Sequence, residues 1–112
     1  MEPEQYNNLL NYLNTLTLPE HFNNQQQKQF TNYSKQFIVK NNFIYKKDKR
    51  KDDNLLRVIR KHEIDSILYM MHNNLTAGYF AMDTMFEKIR LRYYWPQMYE
   101  NIRTYVQSCD KC

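Results

Sequence analysis

The chain of 112 residues reads as a mixed α+β protein, mostly helical. A helix at the amino end leads into a short antiparallel β hairpin or small sheet, and a three-helix bundle follows. Three observations predict this. Apolar residues recur at steps of three and four near both ends of the chain. Between those ends, two β-branched and aromatic runs flank Asn41-Asn42. Pro19 and Pro96 punctuate the helical patterns where a helix would stop or start.

Residues 1–18 carry Tyr6, Leu9, Leu10, Leu13, Leu16 and Leu18 at helical steps, and Pro19 ends the pattern. The stretch HFNNQQQKQF is polar and glutamine-rich; it is either a linker or the first turns of a second helix running through Phe30 and Tyr33. Residues 37–46, FIVKNNFIYK, predict a hairpin, because asparagine tolerates the positive φ of a tight turn. The mixed charge run KKDKRKDDN reads as an exposed loop, and Leu55 to Ile59 as a third strand. Three helices are then expected. The first, Lys61 to His72, has Ile64, Ile67, Leu68 and Met71 on one face. The second, Phe80 to Arg92, offers Phe80, Thr84, Met85, Ile89 and Arg92. The third begins at Pro96, a residue favoured at the first helical position, and carries Met98, Ile102, Tyr105, Val106 and Cys109. Trp95 would anchor the corner between the last two, which makes the aromatic residues core rather than a stacking platform for bases. The organisation expected is an amino-terminal helix and polar linker at 1–29, a β-containing extension at 30–60 and a helical domain at 61–112.

Composition narrows the function classes. No apolar run approaches the roughly 20 residues that cross a bilayer, and no basic-then-apolar signal peptide opens the chain. The net formal charge is +4, but Glu2, Glu4 and Glu20 fall in the first 27 residues, which hold no lysine or arginine. The remainder carries 16 basic against 9 acidic residues. That asymmetry suits nucleic acid, with a solvated basic surface as the plain alternative. No paired carboxylates, Ser-His-Asp set or phosphate-cradling glycine loop is present, so no enzyme activity and no small-molecule substrate are expected.

The carboxy-terminal stretch from His72 to Cys112 is the informative one. A histidine closing a helix and a Cys109-x-x-Cys112 pair are raw material for zinc, since thiolate and imidazole suit its tetrahedral demand. No thioredoxin-like βαβ pattern surrounds the two cysteines, which disfavours a redox pair. In order along this stretch stand His72, Ala77-Gly78-Tyr79-Phe80, Thr84, Ile89, Tyr93-Tyr94-Trp95-Pro96, Tyr105-Val106, Cys109 and Cys112. That succession resembles the zinc-binding His-His-Cys-Cys amino-terminal domain of retroviral and long-terminal-repeat retrotransposon integrases. The preceding rhythm from Phe37 to Ile59 resembles the small strand-containing extension that many of them carry, so the likeness covers roughly Phe30 to Cys112. Two positions depart from the pattern: Tyr79 stands in place of the second histidine, and Ala81 in place of a glycine.

The resemblance implies a zinc ion held by His72, Cys109 and Cys112, with Tyr79 at the fourth position. A phenol with a pKa near 10 is a poor zinc ligand at neutral pH. Three outcomes are therefore open: zinc completed by water or another side chain, weak coordination by Tyr79, or a site that has lost its metal. His62 is discounted as a substitute, lying about 15 Å from His72 along the same expected helix. The resemblance further implies a non-catalytic module of an integrase, or of a gene derived from one, that acts in the nucleus. Such a module self-associates and holds the element's DNA ends. Lys46, Lys47, Lys49, Arg50, Lys51, Lys88, Arg90, Arg92 and Arg103 are then the candidate phosphate contacts. The competing class is a degenerate integrase remnant serving as a protein-interaction module without metal or DNA.

Overall fold

Pro3 opens the first helix, α1 (Pro3–Thr15), in the computed structural model, which describes residues 1–73 and 82–108. Proline is at no disadvantage there, because the first helical N–H groups lack intrahelical partners anyway. The stripe turns Tyr6 and Leu9 fully inward, with Leu10 and Leu13 partly covered. The helix stops sooner than the leucine spacing suggests. Leu16 adopts a left-handed conformation (φ 60°), its N–H donates to Tyr12 O at 2.7 Å, and its side chain is exposed. It caps the helix instead of extending the apolar face. The glutamine-rich stretch is a second helix, α2 (Asn24–Ser34). A reciprocal cap starts it: Gln26 N–H donates to Asn23 Oδ1 at 2.8 Å, and Asn23 N–H donates to Gln26 Oε1 at 2.9 Å.

The predicted hairpin forms as β1 (Phe37–Lys40) and β2 (Phe43–Lys47), antiparallel, with Val39 opposite Ile44. Asn41 and Asn42 both take positive φ (51° and 65°), the requirement for a two-residue turn whose twist matches its strands. A third strand, β3 (Leu55–Val58), pairs antiparallel with β2. One strand was not legible: β4 (Tyr93–Tyr94) lies parallel to β3, pairing Arg57 with Tyr93 and Val58 with Tyr94. The bonds Arg57 N–H to Arg92 O (2.9 Å) and Ile59 N–H to Tyr94 O (2.8 Å) fix that register. The sheet order is thus β1-β2-β3-β4, and the parallel pair is reached through the helical crossover that such pairing demands.

That crossover begins with a 3-10 turn at Lys61–Glu63 and α3 (Ile64–Asn73). It continues in α4 (Met82–Arg90), and α5 (Met98–Ser108) follows β4. Ile64, Ile67, Leu68 and Met71 face the interior as the spacing predicted. On α4 the buried residues are Met85 and Ile89, with Met82 and Phe86 partly covered, while Thr84 and Arg92 are exposed. The turn of the stripe is therefore offset from the one expected. Pro96 does not open α5 either; it precedes the helix by two residues, and Gln97 between them takes φ 67°.

Two apolar clusters flank the shared strands. Tyr6, Leu9, Phe37, Ile44 and Val58 form one, with Met1 at its edge; Ile59, Leu68, Met71, Met85, Ile89, Trp95 and Ile102 form the other. Because successive strand residues point to opposite faces, Val58 enters the first cluster and its neighbour Ile59 the second. Tyr94 and Trp95 divide in the same way. Trp95 fills the corner that its sequence position suggested, only 1% exposed, with its indole N–H donating to Asn101 Oδ1 at 2.8 Å.

Candidate metal centre and basic cleft

His72 sits in the last turn of α3 and is buried, with 7% of its surface exposed. Its burial follows from the apolar stripe, since Leu68 and Met71 lie on the same side. The imidazole meets the ring of Tyr105 on α5 edge-on, centroids 5.7 Å apart. The structure thus brings the end of α3 against the last turns of α5, which Cys109 follows directly in sequence. Cys109, Cys112 and Tyr79 lie outside the described residues. Among the described residues no group of three or more His, Cys, Asp or Glu side chains is placed to hold a metal ion. His62 is exposed on the 3-10 turn, away from the buried end of α3.

The charged loop between β2 and β3 is less plain than a solvated run. Asp48 is buried, and its carboxylate accepts from Arg50 N–H (2.9 Å), Arg50 Nε (3.3 Å) and Asn54 Nδ2 (2.9 Å). The Asn54 amide and the Arg50 N–H hold this carboxyl below the usual range, assisted by the Arg50 guanidinium against the opposing effect of burial. From that anchor Arg50 Nη2 donates to Arg90 O at 3.0 Å and Asn54 Nδ2 to Leu91 O at 3.3 Å. These are carbonyls at the end of α4, where a helix lacks internal donors and where positive charge is favourable. The loop clasps the helix. On the 3-10 turn, Glu63 accepts from Arg60 N–H (3.2 Å), Arg60 Nε (3.0 Å) and Arg57 Nη2 (3.3 Å). Burial works to raise its carboxyl, but those hydrogen bonds and the two guanidinium charges outweigh it and hold it low.

The basic residues singled out in the sequence separate into groups. Lys46, Lys49, Arg50 and Arg90 line one cleft between the loop and α4, with a volume of about 340 Å³. Lys46 is there because it pairs with Phe37 on one side and Leu56 on the other, on the inner face of the sheet. Its ammonium rests 4.9 Å from the centroid of the Tyr94 ring, and burial, then the nearby Lys49, lower its affinity for a proton. Arg90 bonds Glu87 at 2.8 Å and lies over Phe86, its guanidinium carbon 5.5 Å from the ring centroid. Lys47, on the opposite face of β2, reaches Lys35 O at 3.3 Å. Arg103 pairs with Glu100 at 3.6 Å. Lys51, Lys88 and Arg92 are exposed and do not line the cleft. The aromatic lining of Phe86, Tyr93 and Tyr94 was missed in the sequence. The paired tyrosines before Trp95 were the available signal, but they read as core.

No described helix is long and apolar enough to cross a membrane. Residues 59–112 match the family model described as integrase zinc binding domain. No curated protein matches the chain.

Proposed function

Because residues 59–112 match the family model of the integrase zinc binding domain, we propose that the chain serves DNA integration as a non-catalytic module that binds zinc, binds DNA and self-associates. The observation that carries the metal assignment is the burial of His72 against Tyr105, four residues ahead of Cys109. A buried imidazole at the junction of α3 and α5 fits a ligand that ties α3 to the tail. Thiolates from Cys109 and Cys112 are the donors zinc prefers, and Tyr79 or water would complete the set. When bound, zinc supplies a cross-link spanning 36 intervening residues, which restricts the unfolded chain and stabilises the fold.

The DNA assignment rests on the positive cleft and on its neighbours, Lys51, Lys88 and Arg92. Contacts from lysine and arginine to phosphate position a duplex without reading its sequence. The element's ends, in the nucleus, are the DNA such a module would meet. Four phosphates neutralised by the exposed cations Lys49, Lys51, Lys88 and Arg92 imply a log-log salt slope of about −3.6, or roughly a hundredfold loss of affinity between 50 and 200 mM salt. Gel shift with element-end and random duplexes over that range tests this. Affinity that does not change with salt contradicts it, and absence of DNA binding favours a protein-interaction module. Light scattering tests self-association.

A further inference from the structure

The cleft described above has a chemistry that duplex binding does not use. Its rim carries four cations, of which Arg50 pairs with Asp48 and Arg90 with Glu87, and its floor is apolar, formed by Leu56, Tyr93, Tyr94 and Met98. A bare phosphate matches the rim but gains nothing from the floor. An apolar peptide matches the floor and leaves the rim uncompensated. The volume, about 340 Å³, lies at the small end of the range for small-molecule sites, so a duplex can touch the cations at its edge but cannot enter it. A unit that joins a phosphate to a planar ring matches both. From this geometry we infer that the cleft between the β2–β3 loop and α4 takes one unpaired nucleotide at a DNA end, its phosphate among Lys46, Lys49 and Arg50 and its base against Tyr93.

The inference rests on the reading of the chain as a DNA-binding integrase module and specifies where a strand end goes. Three features of the site support it. Lys46 lies over the Tyr94 ring and Arg90 over the Phe86 ring, so the cations are held by packing and do not have to be ordered by the ligand. Arg50 is fixed by Asp48 and by Arg90 O, which sets its guanidinium at the rim. Lys46 loses stability as a cation because of burial and Lys49, a cost that an incoming phosphate relieves. Aromatic surface with a positive track is the combination by which unpaired nucleic acid is held.

The test is fluorescence anisotropy of the full chain at constant salt. One probe is a blunt duplex and the other is the same duplex with two unpaired nucleotides at one 3′ end. The frayed probe should bind at least about fivefold tighter, the lower bound for one stacked base. Tyr93→Leu and Lys49→Ala should each remove that preference. Equal affinity for the two probes, with salt-dependent binding intact, overturns the inference and leaves the proposed function standing. Loss of all salt-dependent DNA binding overturns both. Because Tyr93→Leu could disturb β4, an NMR titration of the unaltered protein with thymidine monophosphate supplies a second measurement. Shifts centred on the Tyr93 ring and on Arg50 Nε support the site, and shifts confined elsewhere refute it. If the monophosphate binds there but the frayed end confers no advantage, the cleft takes free nucleotides and the DNA-end assignment is wrong.

Discussion

Leu9→Ala is the substitution that probes how the two apolar clusters are joined. Leu9 is 0% exposed and packs in the cluster with Tyr6, Ile44 and Val58, on the far side of the shared strands from Trp95. Truncating a fully buried leucine removes its transfer energy and leaves a cavity, at a cost of about 2–5 kcal/mol. A domain of this size is stable by only about 5–15 kcal/mol, so the fraction lost is large. With an unfolding entropy of about 2.1 cal/mol/K per residue, the melting temperature should fall by about 10–20 °C. The chain has one tryptophan, and it lies in the other cluster. If Val58-Ile59 and Tyr94-Trp95 couple the clusters as their alternating burial indicates, Trp95 fluorescence and far-ultraviolet circular dichroism will melt together at the lowered temperature. Ile89→Ala, made on the tryptophan side, should produce the same coincident shift. A Leu9→Ala protein whose Trp95 transition stays where it was would refute the coupling, whatever happened to the helical signal.

Two further outcomes follow from the loop and its neighbours. Arg50→Ala removes a donor to the exposed end of α4 and should cost about 1 kcal/mol, with a few degrees of melting temperature, whereas Lys49→Ala should leave stability unchanged while weakening DNA binding; equal thermal effects would mean that Arg50 does not clasp the helix. Asp48 and Glu63 both have carboxyls held below their ordinary range. Their contribution is therefore complete above the unfolded carboxylate pKa of about 4 and is lost as pH falls through their lower folded values. Thermal melts from pH 6 to pH 2 should show stability declining below about pH 4, and Glu63→Gln should flatten the decline. A stability that rises on acidification would contradict the assignment.

Much of the architecture was legible because it is local. Stripes on α1, α3 and α5 come from spacing alone, and the Asn41-Asn42 turn is specified by two residues that accept positive φ. The glutamine-rich stretch left linker and helix open, and the reciprocal cap of Asn23 and Gln26, three residues apart, is what decides for the helix α2. What escaped depends on partners distant in sequence. Tyr93 and Tyr94 are a strand only because Arg57 and Val58 lie beside them, and a two-residue strand carries no periodicity of its own. Asp48 looks solvated inside KKDKRKDDN, yet Arg50 and Asn54 turn it inward to organise the end of α4. Leu16 fits the leucine spacing but ends the helix, because nothing in the spacing reports the left-handed cap. At the candidate site, composition pointed to positive charge, but only the fold separates Lys46, Lys49, Arg50 and Arg90, which share a cleft, from Lys47 and Arg103, which have other partners.

Metal stoichiometry is the measurement closest to the central claim that His72, Cys109 and Cys112 act on one zinc ion. Protein purified without added metal should contain about one zinc per chain or take it up on addition, and both His72→Ala and Cys109→Ser should lose it and melt lower. Tyr79→His should bind more tightly than the natural chain. Zinc absent from the natural protein and from Tyr79→His alike, or a content indifferent to His72→Ala, would contradict the account.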